Sequence, residues 1–183
     1  MIIYWIDIET TGLDPNKDTI LEIAVKKANF LDPFNTELIY NKPINIERLD
    51  HLDDFILKMH SKNGLLKECL DTNNKIASIE AELLLLIPAE QNKDDKPIMA
   101  GSSIHFDFSF IKAHMPTLIK RFSYRLYDVS AIELFCCSLG MDKMPKAEAH
   151  RALADIEESI ARAKYFNDWF RNRGAWACVE KNN

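Results

Sequence analysis

The sequence lacks zinc-type cysteine pairs, long apolar runs and internal repeats. Its cysteines are Cys69, Cys136, Cys137 and Cys178, and none has the spacing of zinc ligands. We interpret all four as reduced thiols, which favours a cytoplasmic protein. The apolar stretch 83–87 is too short to span a bilayer, and no signal-peptide pattern opens the chain, so we expect no membrane contact.

An excess of positive charge is also missing. The net charge is −5, whereas proteins that grip long nucleic acids usually carry a basic surface. This balance argues against binding of a long duplex. At 183 residues, with 47% hydrophobic and 28% charged residues, the chain fits one globular domain with a sizeable core.

Asp7 and Glu9 follow an apolar run over residues 2–6, which is typical of a strand buried on both faces. Side chains two residues apart on a strand point to the same side, so we expect the two carboxylates to project together. Adjacent carboxylates repel unless a cation lies between them or one is protonated. Hard oxygen ligands favour Mg²⁺ or Mn²⁺. Two solvated acids at a strand end remain the alternative for this pattern alone.

Asp107 lies in the segment A-G-S-S-I-H-F-D-F-S-F-I-K-A-H-M. Residues 97–100 predict a short strand and residues 106–114 a helix. Phe106, Phe110 and Ala113 recur at helical spacing and should face the core. Asp107 falls near the helix N-terminus, where the helix dipole favours negative charge. Taken alone, it is better explained as an ordinary first-turn acid.

His150 and Asp155 belong to the segment H-R-A-L-A-D-I-E-E-S-I. Five residues correspond to about 140° around an ideal helix, so the two side chains would not share a helical face. We therefore expect His150 in the loop before the last helix, over residues 152–170, and Asp155 inside that helix. A lone histidine is more often structural, and only its acidic companions change that interpretation.

These residues together predict hydrolysis of a phosphodiester bond. Two metal ions roughly 4 Å apart stabilise the attacking and the leaving oxygen of an in-line displacement. We expect Asp7 to bridge the ions, Glu9 and Asp155 to complete one site, and Asp107 to act at the edge or through water. His150 can take a proton from the attacking water near neutral pH.

The element order predicts a mixed sheet. Strands are expected at 2–6, 20–28, 38–44, 97–100 and 126–127, and helices at 47–57, 76–87, 106–114, 129–139 and 152–170. Three early strands followed by alternating strands and helices are typical of an α/β mixed sheet flanked by helices. We expect the five candidate residues to converge at one edge of that sheet.

Three segments also carry a family resemblance. D-I-E-T-T-G-L, the Asp107 segment and H-R-A-L-A-D resemble the motifs of the DEDD superfamily of 3′-to-5′ exonucleases, histidine-loop subtype. The blocks M-H-S-K-N-G-L and Y-R-L-Y-D-V-S are most similar to the oligoribonuclease family. The resemblance implies a ribonuclease-H-like fold in a single domain and two-metal release of 5′ mononucleotides from very short single-stranded RNA. It also implies that Asp7, Glu9, Asp107 and Asp155 bind metal and that His150 is the general base.

The resemblance further implies a substrate pocket. Leu13 and Phe55 would wedge against the bases, and a second group would close around the terminal 5′ phosphate, namely His60, Ser103, Arg125 and Ser130. Tyr124 matches a tyrosine that the other subunit of a homodimer contributes. The planar guanidinium of arginine presents several N–H donors that suit a phosphate group. Stacking binds bases of any sequence. The alternatives are a surface ion-pair role for Arg125, helix caps for the serines, and ordinary core for Leu13 and Phe55.

Several positions depart from the family pattern. Thr10 stands where methionine is usual, Ser102 replaces an asparagine, and Phe55 stands where tryptophan is usual. An alternative function therefore stays open, namely a DEDD exonuclease acting on single-stranded DNA or on longer RNA 3′ ends. A non-catalytic nucleic-acid-binding module is disfavoured because no metal ligand or base is missing. We expect the exonuclease domain over residues 1–175 and a C-terminal tail over residues 176–183.

Overall fold

The computed structural model describes residues 1–49, 52–90, 92–145 and 149–172. Within them, five strands form one mixed sheet in the order β3-β2-β1-β4-β5. The strands are β1 (Ile2–Thr10), β2 (Ile20–Asn29), β3 (Asp32–Pro43), β4 (Ile98–Gly101) and β5 (Leu126–Asp128). β1, β2 and β3 pair antiparallel, whereas β4 runs parallel to β1 and β5 parallel to β4. The mixed sheet predicted from the sequence is confirmed.

Helices cover both faces of this sheet. The helices of the described residues are α1 (Asp54–Lys62), α2 (Leu65–Asp71), α3 (Ile76–Leu86), α4 (His105–His114), α5 (Val129–Ser138) and α6 (Ala152–Asn172). Apolar residues of α3 and α4 pack on one face, and those of α5 and α6 pack on the other. α1 and α2 form a smaller cluster against Leu21 of β2. Of the helices in the described ranges, none is long and apolar enough to cross a membrane.

The central strand β1 is buried on both sides, which explains its continuous apolar run. Tyr4 and Ile6 belong to the cluster beneath α3 and α4, and Ile3 and Trp5 belong to the cluster beneath α5 and α6. Because side chains alternate along a strand, the next odd-numbered residues continue the face that α6 covers. This alternation directs both acids of β1 toward the N-terminal end of α6.

The helix predicted at 47–57 was wrong in its bounds. α1 begins at Asp54, because the side chain of Asp53 accepts a hydrogen bond from the N–H of Ile56 at 2.8 Å and caps the helix there. α2 was not predicted; it follows Gly64, whose φ of 81° is a left-handed conformation that glycine adopts without strain. Ala113 is exposed rather than facing the core.

The strand predicted at 38–44 is the second half of a longer strand. β2 and β3 form a hairpin around residues 30–31, which extends β3 back to Asp32. The predicted tail at 176–183 and the domain limit at 175 lie outside the described residues, so both stay predictions.

Candidate active site

Three carboxylates meet where β1 passes the start of α6. Ligand oxygens of Asp7, Glu9 and Asp155 all lie within 4.8 Å of one another. Asp7 and Glu9 stand on the same face of β1, and Asp155 lies in the first turn of α6. α6 begins at Ala152, so His150 precedes the helix and Asp155 lies inside it, as the sequence predicts. Two segments from opposite ends of the chain thus form one acidic cluster.

The position of α6 is fixed by a buried acid of β2 that the sequence did not single out. Glu22 lies opposite Glu9 in the sheet, and its side chain is only 2% exposed. Its carboxylate accepts a hydrogen bond from the N–H of Ala152 at 2.9 Å, one of the helix N–H groups that lack an intrahelical partner. Glu22 therefore holds the first turn of α6, and Asp155 with it, beside β1.

Asp107 reaches the same region from the other edge of β1. The strand β4 pairs with β1 only at Ile3, Tyr4 and Trp5, so beyond this point no strand of the described residues pairs with β1 on that side. The Asp107 carboxylate accepts a hydrogen bond from the N–H of Ile8 at 3.0 Å. Asp107 is thereby placed at the level of Asp7 and Glu9, against the strand that carries both.

The route of the chain from β4 to Asp107 depends on Gly101. A Cβ atom at this position would lie 2.9 Å from the carbonyl oxygen of Ile6 and 3.1 Å from the Ile104 side chain. Only glycine allows the chain to leave β4 this close to the β1 backbone. The short loop then leads directly into α4, with Asp107 in its first turn.

The acidic cluster is electrostatically costly without a cation. Burial, followed by the carboxylates of Asp155 and Glu22, raises the pKa of Glu9 to about 8. Burial also raises the pKa of Asp107, although the N–H of Ile8 favours its charged form. Buried carboxylates this close must share a proton or a cation. The donor set is all oxygen, so the residues present fit a hard divalent metal ion.

His150 is held in an uncommon backbone conformation. Its φ is 49°, in the left-handed region, which histidine tolerates better than most residues. Its carbonyl oxygen accepts a hydrogen bond from Nδ2 of Asn63 at 2.6 Å. The next residue, Arg151, donates to Glu22 at 2.9 Å and to Glu68 at 2.7 Å. These contacts anchor the His150 backbone between α1–α2 and the sheet.

The structure places His60 beside the acids. His60 is fully buried, and its Nε2 lies 3.6 Å from Oε2 of Glu9. Burial lowers the pKa of His60, and His150 lowers it further. The serines expected to share a phosphate pocket with His60 lie in a different group, described below.

Leu13 and Phe55 are exposed, which excludes the core alternative for both. Leu13 is 84% and Phe55 is 68% exposed. The turn that presents Leu13 is held by Asp18, whose carboxylate accepts from the N–H of Asp14 at 2.9 Å. A Cβ atom at Gly12 would lie 2.5 Å from that carboxylate, so a side chain there would displace Asp18 from this hydrogen bond. Phe55 lines a cleft of about 500 Å³ whose wall also includes His150.

Ser103 and Ser130 are brought together at the carboxyl end of β4 and β5. Their hydroxyl oxygens lie 3.1 Å apart, and the N–H of Ser103 donates to Asp128 at 3.0 Å. Asp128 also accepts from the N–H of Ser130 and is the N-cap of α5. The helix-cap alternative for the serines is therefore wrong: Asp128 caps α5, and Ile104 occupies the N-cap position of α4.

Arg125 and Tyr124 form a separate exposed group. The guanidinium carbon of Arg125 lies 4.8 Å from the centre of the Tyr124 ring, within the range of a cation–π contact. Tyr124 is 78% exposed. Both follow the turn that leads into β5, on the same segment as Asp128 and Ser130.

Sequence reasoning missed three residues that organise the site: Glu22, Asn63 and Arg151. Asn63 and Arg151 lie in blocks that were noted for their resemblance, but their residue types gave no local signal. A glutamate within the apolar strand L-E-I-A was the one available clue, because a charge in a buried strand requires a partner.

The sequence itself matches a known family. The sequence profile of the RNase_T family, described as exonuclease, matches residues 4–162. The mixed sheet with an acidic cluster beside its central strand and the matched sequence define an exonuclease domain.

Relatives specify the family further. Oligoribonuclease of Corynebacterium diphtheriae is 34% identical over 180 residues, covering 94% of this chain and 81% of the relative. That of Chromobacterium violaceum is 33% identical, covering 91% and 93%. A mouse relative named mitochondrial oligoribonuclease is 33% identical, covering 92% and 73%. The chain therefore belongs to the oligoribonuclease family of exonucleases, and the resemblance noted in the sequence is confirmed.

Solved structures show the same fold. Escherichia coli exonuclease I in complex with a dT13 oligonucleotide has a TM-score of 0.65 at 15% identity, covering 99% of this chain and 44% of that chain. Apo exonuclease I gives 0.64 at 15% identity, covering 100% and 47%. The chain spans less than half the length of these exonuclease I chains. At this identity the likeness concerns the fold alone, and it confirms the ribonuclease-H-like prediction.

Proposed function

We propose that this protein is a divalent-metal-dependent 3′-to-5′ exoribonuclease that degrades RNAs of two to a few nucleotides to 5′ mononucleotides. The observation that carries the proposal is the convergence of Asp7, Glu9 and Asp155 within 4.8 Å in a chain of the oligoribonuclease family. Asp107 and His150 flank this cluster from α4 and from the segment before α6. These five residues are the set that we propose for phosphodiester hydrolysis.

Each residue has a role in the proposed reaction. Asp7, Glu9 and Asp155 would hold the metal, with Asp107 at the edge of the site. Two ions of Mg²⁺ or Mn²⁺, when bound there, would stabilise the negative charge that develops on the attacking and leaving oxygens. His150 accepts the proton of the attacking water. Its backbone is anchored by the Asn63 amide, and its side chain borders the open cleft with Phe55.

The exposed apolar residues would bind the bases without regard to sequence. Leu13 and Phe55 present apolar surfaces that can pack against any base. Ser103, Arg125, Ser130 and His60 are the residues we propose for the terminal 5′ phosphate. The hydroxyl oxygens of Ser103 and Ser130 lie 3.1 Å apart, and Arg125 immediately precedes β5. A capped phosphate would limit substrate length. His60 lies apart from the two serines, buried beside Glu9.

We also propose a homodimer in which Tyr124 reaches the site of the partner subunit. An aromatic ring that is 78% exposed and carries an arginine against it is suited to such a contact. A cytoplasmic location is proposed on the free cysteines Cys69, Cys136 and Cys137. The relatives named mitochondrial make an organelle the alternative location.

The second candidate function is an exonuclease acting on single-stranded DNA or on longer RNA 3′ ends. The observation that favours it is a departure from the family pattern in the segment E-T-T-G, where Thr10 stands in place of the usual methionine. Thr10 ends β1, and its hydroxyl donates to the carbonyl of Gly12 at 2.6 Å. It thus shapes the turn that presents Leu13 to the substrate.

Hydrolysis of 5′-phosphorylated RNAs of two, three, seven and about twenty nucleotides, with a matched DNA set, separates the two candidates. We expect cleavage in Mn²⁺ and none in EDTA, with the dinucleotide cleaved fastest and a sharp decline at greater length. Equal or faster cleavage of the longest RNA or of DNA would favour the second candidate instead.

A matched pair of variants on α6 serves as the control. Asp155→Asn removes a proposed ligand, whereas Asp168→Asn removes an acid about 20 Å further along the same helix. We expect only Asp155→Asn to lose hydrolysis. Full turnover in Asp155→Asn would contradict the assignment of the acidic cluster as the catalytic centre.

A further inference from the structure

The side-chain amide of Asn63 has one orientation that its neighbours determine. Its Oδ1 accepts a hydrogen bond from the N–H of Leu65 at 3.1 Å, at the start of α2. A backbone N–H can only donate, so the oxygen must face α2. The NH₂ group of Asn63 therefore faces the opposite way, toward the segment before α6.

The two N–H bonds of this amide point at two different partners. One donates to the carbonyl oxygen of His150 at 2.6 Å, and Nδ2 also lies 3.4 Å from Nδ1 of His60. An amide NH₂ offers hydrogens and no acceptor. Nδ1 of His60 must then be the accepting nitrogen, so the neutral ring carries its proton on Nε2.

That proton faces the acidic cluster. Nε2 of His60 is fully buried and has no hydrogen-bond partner among the described residues. It lies 3.6 Å from Oε2 of Glu9, slightly beyond hydrogen-bond distance. A buried donor without a partner is costly, and the nearby Glu9 carboxylate is the acceptor that would satisfy it after a small movement.

We propose that Asn63 is a positioning residue that couples the His150 segment to Glu9 through His60. The proposal rests on the proposed function, because it assigns the coupling to the proposed base and a proposed metal ligand. The path runs from the His150 carbonyl through the Asn63 amide to the His60 ring, whose Nε2 lies 3.6 Å from the Glu9 carboxylate. The guanidinium of Arg151 also donates to the Asn63 carbonyl at 3.3 Å, so the segment before α6 contacts Asn63 at two points.

The coupling has a defined consequence for the site. His150 has a left-handed φ of 49°, a conformation that persists only where neighbours hold it. The hydrogen bond from the Asn63 amide to the His150 carbonyl stabilises this conformation. The same amide fixes the tautomer of the ring that approaches Glu9, so one side chain sets the orientation of groups on both sides of the cluster.

The isosteric variant Asn63→Asp tests this path through a measurement that does not depend on enzymatic activity. It keeps the oxygen that accepts from Leu65 and loses both donors. Nitrogen NMR of the metal-free protein reads the tautomer of His60 directly. We expect Nε2 to be protonated in the wild-type protein and Nδ1 to become protonated in the variant, because a carboxylate accepts a proton there. A wild-type ring protonated on Nδ1, or an unchanged ring in the variant, would overturn the proposal.

Turnover of the dinucleotide provides the second readout. We expect Asn63→Asp to lower kcat by roughly tenfold or more, the usual effect of groups that orient metal ligands, with KM changed by less than about twofold. The melting temperature should fall as well, because the variant loses two donors and a carboxylate oxygen then faces the His150 carbonyl oxygen. Wild-type kcat in Asn63→Asp would contradict the positioning role.

A second asparagine provides the matched control. Nδ2 of Asn45 donates to the carbonyl oxygens of Cys69 and Thr72 at 3.3 and 2.7 Å, in the cluster beneath α2. Asn45→Asp also loses two donors, so it should lower the melting temperature while leaving kcat of the folded protein unchanged. An equal loss of kcat in both variants would reduce Asn63 to a structural residue. If the wild-type protein hydrolyses no oligonucleotide, the proposed function fails, while the His60 tautomer still decides whether the path exists.

Discussion

Replacing Asp7 by asparagine should stabilise the metal-free protein while removing its activity. Asp7 lies within 4.8 Å of two other carboxylates, Glu9 and Asp155. Asparagine has nearly the same shape and keeps an oxygen acceptor, but it carries no charge. The substitution therefore removes repulsion with little change in packing.

The gain can be estimated from the geometry. Two unit charges at about 4.8 Å repel by roughly 3.5 kcal/mol at an effective dielectric constant of about 20. The pKa of Glu9 is raised to about 8, so this group is largely protonated at neutral pH and Asp155 is the main charged neighbour. Solvent screening at the half-buried Asp7, together with the weaker hydrogen bonds of a neutral amide, reduces the gain to about 1–2 kcal/mol. For a chain of this size that corresponds to a rise of roughly 3–6 °C in melting temperature.

Thermal unfolding in EDTA and in Mn²⁺ tests both parts of this reasoning. Binding of a ligand to the folded state alone stabilises it by about 2.7 kcal/mol at a hundred times the dissociation constant. We expect Mn²⁺ to raise the melting temperature of the wild-type protein clearly and that of Asp7→Asn much less. A lower melting temperature for Asp7→Asn in EDTA would refute the repulsion argument. An equal Mn²⁺ shift in both proteins would place the metal elsewhere.

Three further predictions concern other parts of the site. His150→Ala should lower kcat by roughly 10² in single-turnover assays, whereas His105→Ala, at a 75% exposed side chain, should not. Arg151→Met should cost about 3 kcal/mol in urea unfolding, because it leaves the Glu22 carboxylate, 2% exposed, without its cation; an unchanged midpoint would mean that solvent reaches Glu22. Tyr124→Ala should lose activity, and mixing it with the inactive Asp155→Asn variant should partly restore it. No restoration would count against a site shared between subunits.

The acids of the site could be predicted because local rules constrain them. Alternation along a strand places Asp7 beside Glu9, and the angle of about 140° between positions five apart on a helix separates His150 from Asp155. The apolar runs of the sequence likewise predicted the buried strands of the sheet. The start of α1 could not be predicted in this way. The apolar pattern extends further toward the N-terminus, but the capping hydrogen bond to Asp53 sets the first turn of the helix.

The contacts that hold the site together could not be predicted in the same way. Asn63 and the His150 carbonyl are 87 positions apart, and Glu22 and Arg151 are 129 apart. No periodicity in a single sequence encodes which polar side chain will meet which backbone group at such separations. Burial supplied the missing information, since Glu22 is nearly inaccessible and must have partners.

The difference in length between β1 and β4 explains how an acidic site arises in the middle of a buried sheet. β1 has nine residues and β4 has four, so β1 continues past its parallel neighbour. If β4 continued in the same register to the level of Ile8, a carbonyl of β4 would accept from the N–H of Ile8 and leave no place for a side chain. Because β4 ends at Gly101, that N–H donates to the Asp107 carboxylate instead of to a neighbouring strand. The unpaired edge of β1 thus binds the Asp107 carboxylate, and the alternation of side chains along β1 places Asp7 and Glu9 at the same level.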